Sequence, residues 1–295
     1  MSEQGLAQEA LIQPKPGRTR KSLQLHWKTV SYELGNMPAQ IRIRIYPVQN
    51  KGGIMMDYGI QMYSVRDITE KDLKGALKRI AEIGYRYVEF AGFFGNSAEE
   101  VKGWLDEYGL SVSGTHTGLW ELDEDLSGVI AYSKTIGNRN IIIPGHDLSS
   151  QAKLDAFVEK VNCYQPVLAG EGITLGYHNH SHEFMPNKDG SMIHEQLVWR
   201  TSLSFEIDTY WYFEATGNDA IGILDRLKDR NRFIHLKDGF RGGQGMPLGQ
   251  GEAPLRPIYD YCKANNILMV VESETLQPDG LTEAKTCYDW LKSQE

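Results

Sequence analysis

The sequence predicts a single (β/α)8 barrel, and three observations carry that expectation. From residue 56 onward, short apolar segments alternate with longer amphipathic ones, eight times over. These units fill residues 56–295, close to the ~250 residues of a typical barrel of this kind. No Gly-x-Gly-x-x-Gly follows the first strand, where a dinucleotide-binding open sheet would carry it; Gln61-Met62-Tyr63-Ser64 stands there instead.

The strand candidates are Tyr58–Gln61, Tyr87–Phe90, Val112–His116, Asn140–Ile143, Thr174–His178, Ser204–Asp208, Phe233–His235 and Leu268–Glu272. Each is apolar through its middle, as strands covered on both faces of a parallel sheet are. Helices are expected between them. Lys71–Ile83 puts Leu73, Leu77, Ile80 and Ala81 on one face and stops at Gly84, a capping residue. Ala98–Tyr108 stops at Gly109 in the same way, Leu126–Ile136 at Gly137, and Ala152–Ala169 at Gly170 or Gly172. Two glycine-rich stretches after the seventh strand, 242–245 and 249–251, read as a flexible loop at the mouth of the site.

Residues 1–55 read differently. Pro14, Pro16, Pro38 and Pro47 sit among scattered basic residues with no sustained period. Such a stretch buries too little apolar surface to offset its ordering entropy. It is expected to be a disordered extension or to lie upstream of the true start, leaving 56–295 as the barrel domain. Lys51-Gly52-Gly53 fits a translated purine-rich ribosome-binding site just ahead of Met55-Met56, which places the natural start there. A targeting or partner-binding extension is the alternative.

Composition narrows the function classes. The net charge is -8 with both signs mixed along the chain, so no basic stripe invites nucleic acid. Cys163, Cys262 and Cys287 are too widely spaced for a thiolate zinc site or a disulfide framework, and read as reduced thiols of a cytoplasmic protein. The longest apolar runs, such as Ile267–Val271, fall far short of the ~20 residues that cross a bilayer. Homo-oligomerisation is left open.

Four successive strand candidates close on polar residues: His178, Asp208, His235 and Glu272. Read singly, His178 and His235 are hydrogen-bonded structural residues, Asp208 is a helix cap and Glu272 faces a loop. In register at one barrel mouth, the same four would leave charges desolvated at a cost of several kcal/mol. A shared cation removes that cost. Nitrogen and carboxylate donors without thiolate suit one divalent ion, Mn²⁺ foremost, with Co²⁺, Fe²⁺, Zn²⁺ and Mg²⁺ as alternatives. Strand alternation also turns His180, Glu206, Lys237 and Glu274 inward. His116 and His146, on earlier strands, are further candidates.

In these residues the chain resembles the xylose-isomerase-like barrel superfamily of sugar (phosphate) isomerases and epimerases, with inosose dehydratases and keto-sugar lyases among its members. The resemblance runs from about Asp57 to the C-terminus. It rests on Gly59-Ile60-Gln61-Met62-Tyr63-Ser64, Tyr177-His178-Asn179-His180 and His182-Glu183-Phe184. Glu206-Ile207-Asp208-Thr209-Tyr210-Trp211, His235-Leu236-Lys237-Asp238, Leu248-Gly249-Gln250-Gly251 and Val271-Glu272-Ser273-Glu274 complete it. The family's metal set, Glu, Asp, His and Glu on strands five to eight, carries over as Asp208, His235 and Glu272. The first position departs. His178 stands where epimerases place Glu, with His180 and Glu183 as other candidates for the fourth ligand.

The resemblance implies proton abstraction next to a carbonyl, giving an enediolate. Isomerisation and epimerisation are the first expectation; elimination from keto-sugars, inososes or 3-keto-glycosides is the alternative. Glu272 is the candidate base, with His146, His180 and Glu183 as candidate acids or second bases. His116, Lys237 and Trp211 are candidate substrate contacts, and Arg241 a candidate phosphate holder. A small carbohydrate is the expected partner. A different class, a metal-dependent phosphodiesterase of the endonuclease IV type, would want a basic groove that the acidic balance does not supply.

Overall fold

The computed structural model describes residues 56–295 and the backbone of His26–Leu34 and Met37–Ile45. The chain divides into two compact units, 1–54 and 55–295. In the first, those two segments pair antiparallel, from His26 opposite Ile45 to Leu34 opposite Met37. Ile41, Ile43 and Ile45 alternate there with Arg42 and Arg44, a short period of 2 that the proline-rich surroundings obscure. The remainder of 1–55, on which the expectation of a disordered extension falls, lies outside the described residues.

The second unit is a closed barrel. Its strands are β1 (Gly59–Gln61), β2 (Tyr87–Phe90), β3 (Ser111–His116), β4 (Asn140–Ile143), β5 (Thr174–His178), β6 (Ser204–Asp208), β7 (Phe233–Leu236) and β8 (Leu268–Val271). All pair in parallel in the order β8-β1-β2-β3-β4-β5-β6-β7. Helices cover the outside, so most strand residues are buried on both faces. The expected long helix ending at Ile136 begins earlier, at Leu119, but breaks at Asp125. Asp125 accepts the Gly128 amide and caps a fresh turn, so the period read from Leu126 marks the second half.

The barrel interior is layered. Its floor is an apolar plug of Ile142, Phe233 and Val270. Gly114 makes room for this packing: a Cβ there would sit 2.5 Å from the Ile142 tip and 3.0 Å from a Glu89 oxygen. Above the plug the inward residues turn polar, and the apolar core continues only outside the sheet, against the helices.

Candidate active site

Strand alternation puts Phe233, His235 and Lys237 on one line up the inside of β7, and Val270, Glu272 and Glu274 on the line beside it. His178 closes β5 beside Glu206, and Asp208 closes β6 opposite His235. Donor atoms of His178, Asp208, His235 and Glu272 all lie within 4.8 Å of one another, and all four residues are buried. His178 Nε2 is 3.6 Å from Asp208 Oδ2. His235 Nδ1 is 4.0 Å from that same oxygen and 3.3 Å from Glu272 Oε2.

Local structure aims each donor. Asp208 spends Oδ1 on the amides of Tyr210 and Trp211, capping helix Thr209–Thr216, which leaves Oδ2 free. Asn179 clips the ends of β5 and β6 together, accepting from the Asp208 amide and donating to its carbonyl. His178 donates Nδ1–H to the Pro144 carbonyl at 3.5 Å, turning Nε2 inward. Beneath, His235 Nε2 lies 2.6 Å from Glu89 Oε2, a partner that would keep a proton on Nε2 and offer Nδ1 to a bound ion.

The result is three buried atoms with no hydrogen-bond partner: His178 Nε2, Asp208 Oδ2 and His235 Nδ1. Orphaned buried polar atoms are costly and rare. Converging on one point with a carboxylate alongside, they fit a divalent cation in number, chemistry and orientation.

A second cluster underlies the first. Glu89 and Glu206 flank His235 Nε2, at 2.6 and 3.2 Å. Gln61 donates to Glu89 at 3.0 Å, and His116 Nε2 donates to Glu206 at 2.9 Å. Burial first, then the neighbouring Glu206, pushes the Glu89 carboxyl up. Glu206 itself is held well below the usual carboxylate range: burial opposes this, but His235 and His116 outweigh it.

Above the four donors, Lys237 is buried with its ammonium 3.2 Å from Glu272 Oε2, 4.0 Å from Asp208 Oδ2 and 4.7 Å from the Trp211 ring centroid; it also donates to Glu274. Burial would raise the Glu272 carboxyl, yet Lys237 and His235 hold it well below its ordinary range. A cleft of about 570 Å³ opens over this assembly. His116, His178, His180, Glu272 and Glu274 line it, with Tyr63 and Trp120 exposed at its edge. Burial and the adjacent His178 push the His180 imidazole down to about 4, so it is neutral at neutral pH.

Other expected residues sit elsewhere. Glu183 is buried but turned away: it accepts the Tyr177 hydroxyl and the His180 amide, both at 2.8 Å, and so braces the loop after β5. His146 is exposed and packs on Phe157, outside the cleft lining. Arg241 is exposed on the hairpin made by Asp238–Phe240 and Gln244–Met246, also outside the lining. Trp211 touches the site through Lys237 and His180 rather than through the cleft. Glu89 and Gln61 are the site residues that sequence reasoning missed. The available signal was a charge at the centre of Tyr87-Val88-Glu89-Phe90, an otherwise apolar strand.

Fold and site together define a (β/α)8 barrel with a cluster of nitrogen and carboxylate donors at its C-terminal mouth that could hold a metal ion. The chain belongs to the xylose isomerase-like TIM barrel family, whose model matches residues 77–294. No curated protein matches in sequence. Among solved structures, a sugar phosphate isomerase/epimerase from Parabacteroides distasonis superposes with a TM-score of 0.68 at 21% identity, covering 83% of this chain and 97% of its own. A probable 3-DHS dehydratase involved in petrobactin synthesis from Bacillus anthracis gives 0.65 at 14% identity, covering 80% and 99%. A D-allulose 3-epimerase from Methylomonas sp. gives 0.61 at 15% identity, covering 81% and 98%. Identities this low establish the shared fold; members of the family are mostly enzymes, isomerases, epimerases and dehydratases among them.

Proposed function

We propose that this protein is a divalent-metal-dependent isomerase or epimerase of a small carbohydrate, working by proton abstraction next to a carbonyl. The observation that carries the reading is the convergence of the three unpartnered atoms beside the Glu272 carboxylate. His178, Asp208, His235 and Glu272 would hold the ion, for which the donor set favours Mn²⁺. When bound, such an ion supplies Lewis acidity to a carbonyl and its neighbouring hydroxyl.

The remaining chemistry belongs to the side chains. Glu272, kept ionised by Lys237 and His235, takes the proton from the carbon beside the carbonyl. Lys237, buried behind the cleft wall, holds Glu272 and Glu274 in place by hydrogen bonds, and Trp211 packs against its ammonium. His180, neutral in the cleft wall, offers a ring N–H as a hydrogen-bond donor to a substrate oxygen, and the proton held by Glu272 returns to the other carbon or leaves with a departing hydroxyl. The cleft lining includes no arginine or lysine, which supports a free sugar over a sugar phosphate. The free thiols of Cys163, Cys262 and Cys287 suit a reducing cytoplasm.

Elimination from a keto-sugar is a second reading, favoured by one feature. An epimerase of the two-glutamate kind needs like groups on opposite faces of the substrate, whereas here histidines, His178 and His180, face Glu272. A base and an acid of different chemistry suit a one-way loss of a β-substituent equally well.

The test is NMR in D2O with aldoses, ketoses, inososes and 3-keto-glycosides. One substrate should exchange deuterium next to its carbonyl, and Glu272→Gln should abolish that exchange while the protein stays folded. Undiminished exchange in the variant would falsify the assignment of the base.

A further inference from the structure

The N-terminal mouth of the barrel, opposite the cleft, carries a cavity of about 770 Å³, against about 570 Å³ for the cleft. Arg139, Thr174, Ser202 and Arg232 line it, each at or just before the start of β4, β5, β6 or β7. The second half of helix Gln151–Gly170 forms the opposite wall through Asn162, Gln165 and neighbouring residues. Inside the barrel, the plug of Ile142, Phe233 and Val270 separates this end from the cleft.

The charge of the lining runs against that of the molecule. The chain carries a net charge of -8, and its surface lysines and arginines pair widely with carboxylates. No aspartate or glutamate lines this cavity, yet two arginines do. Arg230 shows what a structural arginine does here: it donates to the carbonyls of Val198, Thr201 and Leu203. The exposed guanidinium groups of Arg139 and Arg232 have no such partners among the described residues. Residues at this end of a barrel ordinarily serve stability, which takes pairing or packing. Two unpaired like charges around one space repel each other instead.

Uncommitted donors stand beside them. Gln165 accepts the Ser202 amide through Oε1 at 3.3 Å, which leaves its NH2 group free. The hydroxyls of Thr174 and Ser202 have no hydrogen-bond partner among the described residues. Arginine forks supplemented by amide and hydroxyl donors suit phosphate and carboxylate groups, whose oxygens accept several bonds at once.

We infer that the N-terminal mouth binds a small molecule through an oxyanion, a phosphate ester or a polycarboxylate, held by Arg139 and Arg232. A doubly charged anion offsets both unpaired cations together. This site is independent of the chemistry proposed for the cleft.

The test is titration calorimetry on the full chain without added metal, using inorganic phosphate, glycerol 3-phosphate and succinate. One phosphate per chain is expected. Arg139→Gln and Arg232→Gln should each weaken it about tenfold, since each removes a charged hydrogen bond. Both replace exposed residues and should melt as the parent does. Arg79→Gln removes an equal charge from another part of the surface and should leave binding unchanged. Tighter binding of glycerol 3-phosphate than of succinate makes the ligand a phosphate ester, the reverse order a carboxylate, and either keeps the site. Equal weakening by Arg79→Gln would reduce the effect to diffuse attraction and overturn the inference. So would no binding of any of the three anions. Loss of phosphate binding in Asp208→Ala with full binding in Arg139→Gln would put the anion in the cleft, with the same consequence.

Discussion

At the scale of single residues, His235 serves two neighbours at once. Its Nε2 points down to Glu89, held in turn by Gln61, while its Nδ1 points up among Asp208 and Glu272. A carboxylate behind a ligating histidine fixes both tautomer and ring orientation, and its loss costs about 10–100-fold in metal affinity. Glu89→Gln is therefore expected to fold normally and to bind Mn²⁺ within that range more weakly by competitive titration. Unchanged affinity would mean that Glu206, 3.2 Å away, suffices to hold the ring. The four converging donors were legible in the sequence because each closes a strand after an apolar residue. Glu89 was not, since nothing in Tyr87-Val88-Glu89-Phe90 says which face of the strand turns inward. Glu183 misled for the opposite reason. Its spacing suits the site, but the hydroxyl of Tyr177 draws it away.

Among the elements, the loop after β7 was read as flexible from its glycines, and a buried carboxylate explains why it is tethered instead. Asp238 accepts the amides of Gly239, Gly249, Gly251 and Ala253. Gly251 is needed for that approach, because a Cβ would sit 2.4 Å from an Asp238 oxygen. Asp238→Ala should free the loop, lower stability by about 2–4 kcal/mol through lost charge-assisted bonds, and admit protease between residues 247 and 253. A variant as resistant as the parent would show the loop held by other contacts. Helix Ile193–Arg200 carries a second test. His194 is buried among Phe184 and Phe205, its ring nitrogens lack partners, and burial with Arg226 nearby pushes it down to about 3. The unfolded chain takes up a proton near pH 6.5 and the folded one only near 3, so stability falls as pH drops through that window. His194→Phe should flatten the melting temperature between pH 7 and 4, and an unaltered slope would assign that loss to other groups.

At the scale of the whole molecule, the barrel was the most legible feature, because eight repeats of one hydrophobic pattern leave few alternative topologies. Tyr87–Phe90, Asn140–Ile143, Thr174–His178 and Ser204–Asp208 match their sequence readings residue for residue. The others differ only at their ends, where pairing rather than composition sets the limit. The antiparallel pair at 26–45 was hidden by Pro38 within it and by the prolines on either side. Since residues 55–295 form a compact unit of their own, a chain starting at Met56 should melt within a degree or two of the full one. A much lower melting temperature would give the head a structural role.

The central claim is that one divalent ion sits among His178, Asp208, His235 and Glu272. Its most direct test is elemental analysis after equilibration with Mn²⁺ and removal of excess. One ion per chain is expected in the parent, and none in folded Asp208→Ala and His235→Ala. Stoichiometric metal in both variants, or none in the parent at saturating Mn²⁺, would contradict it.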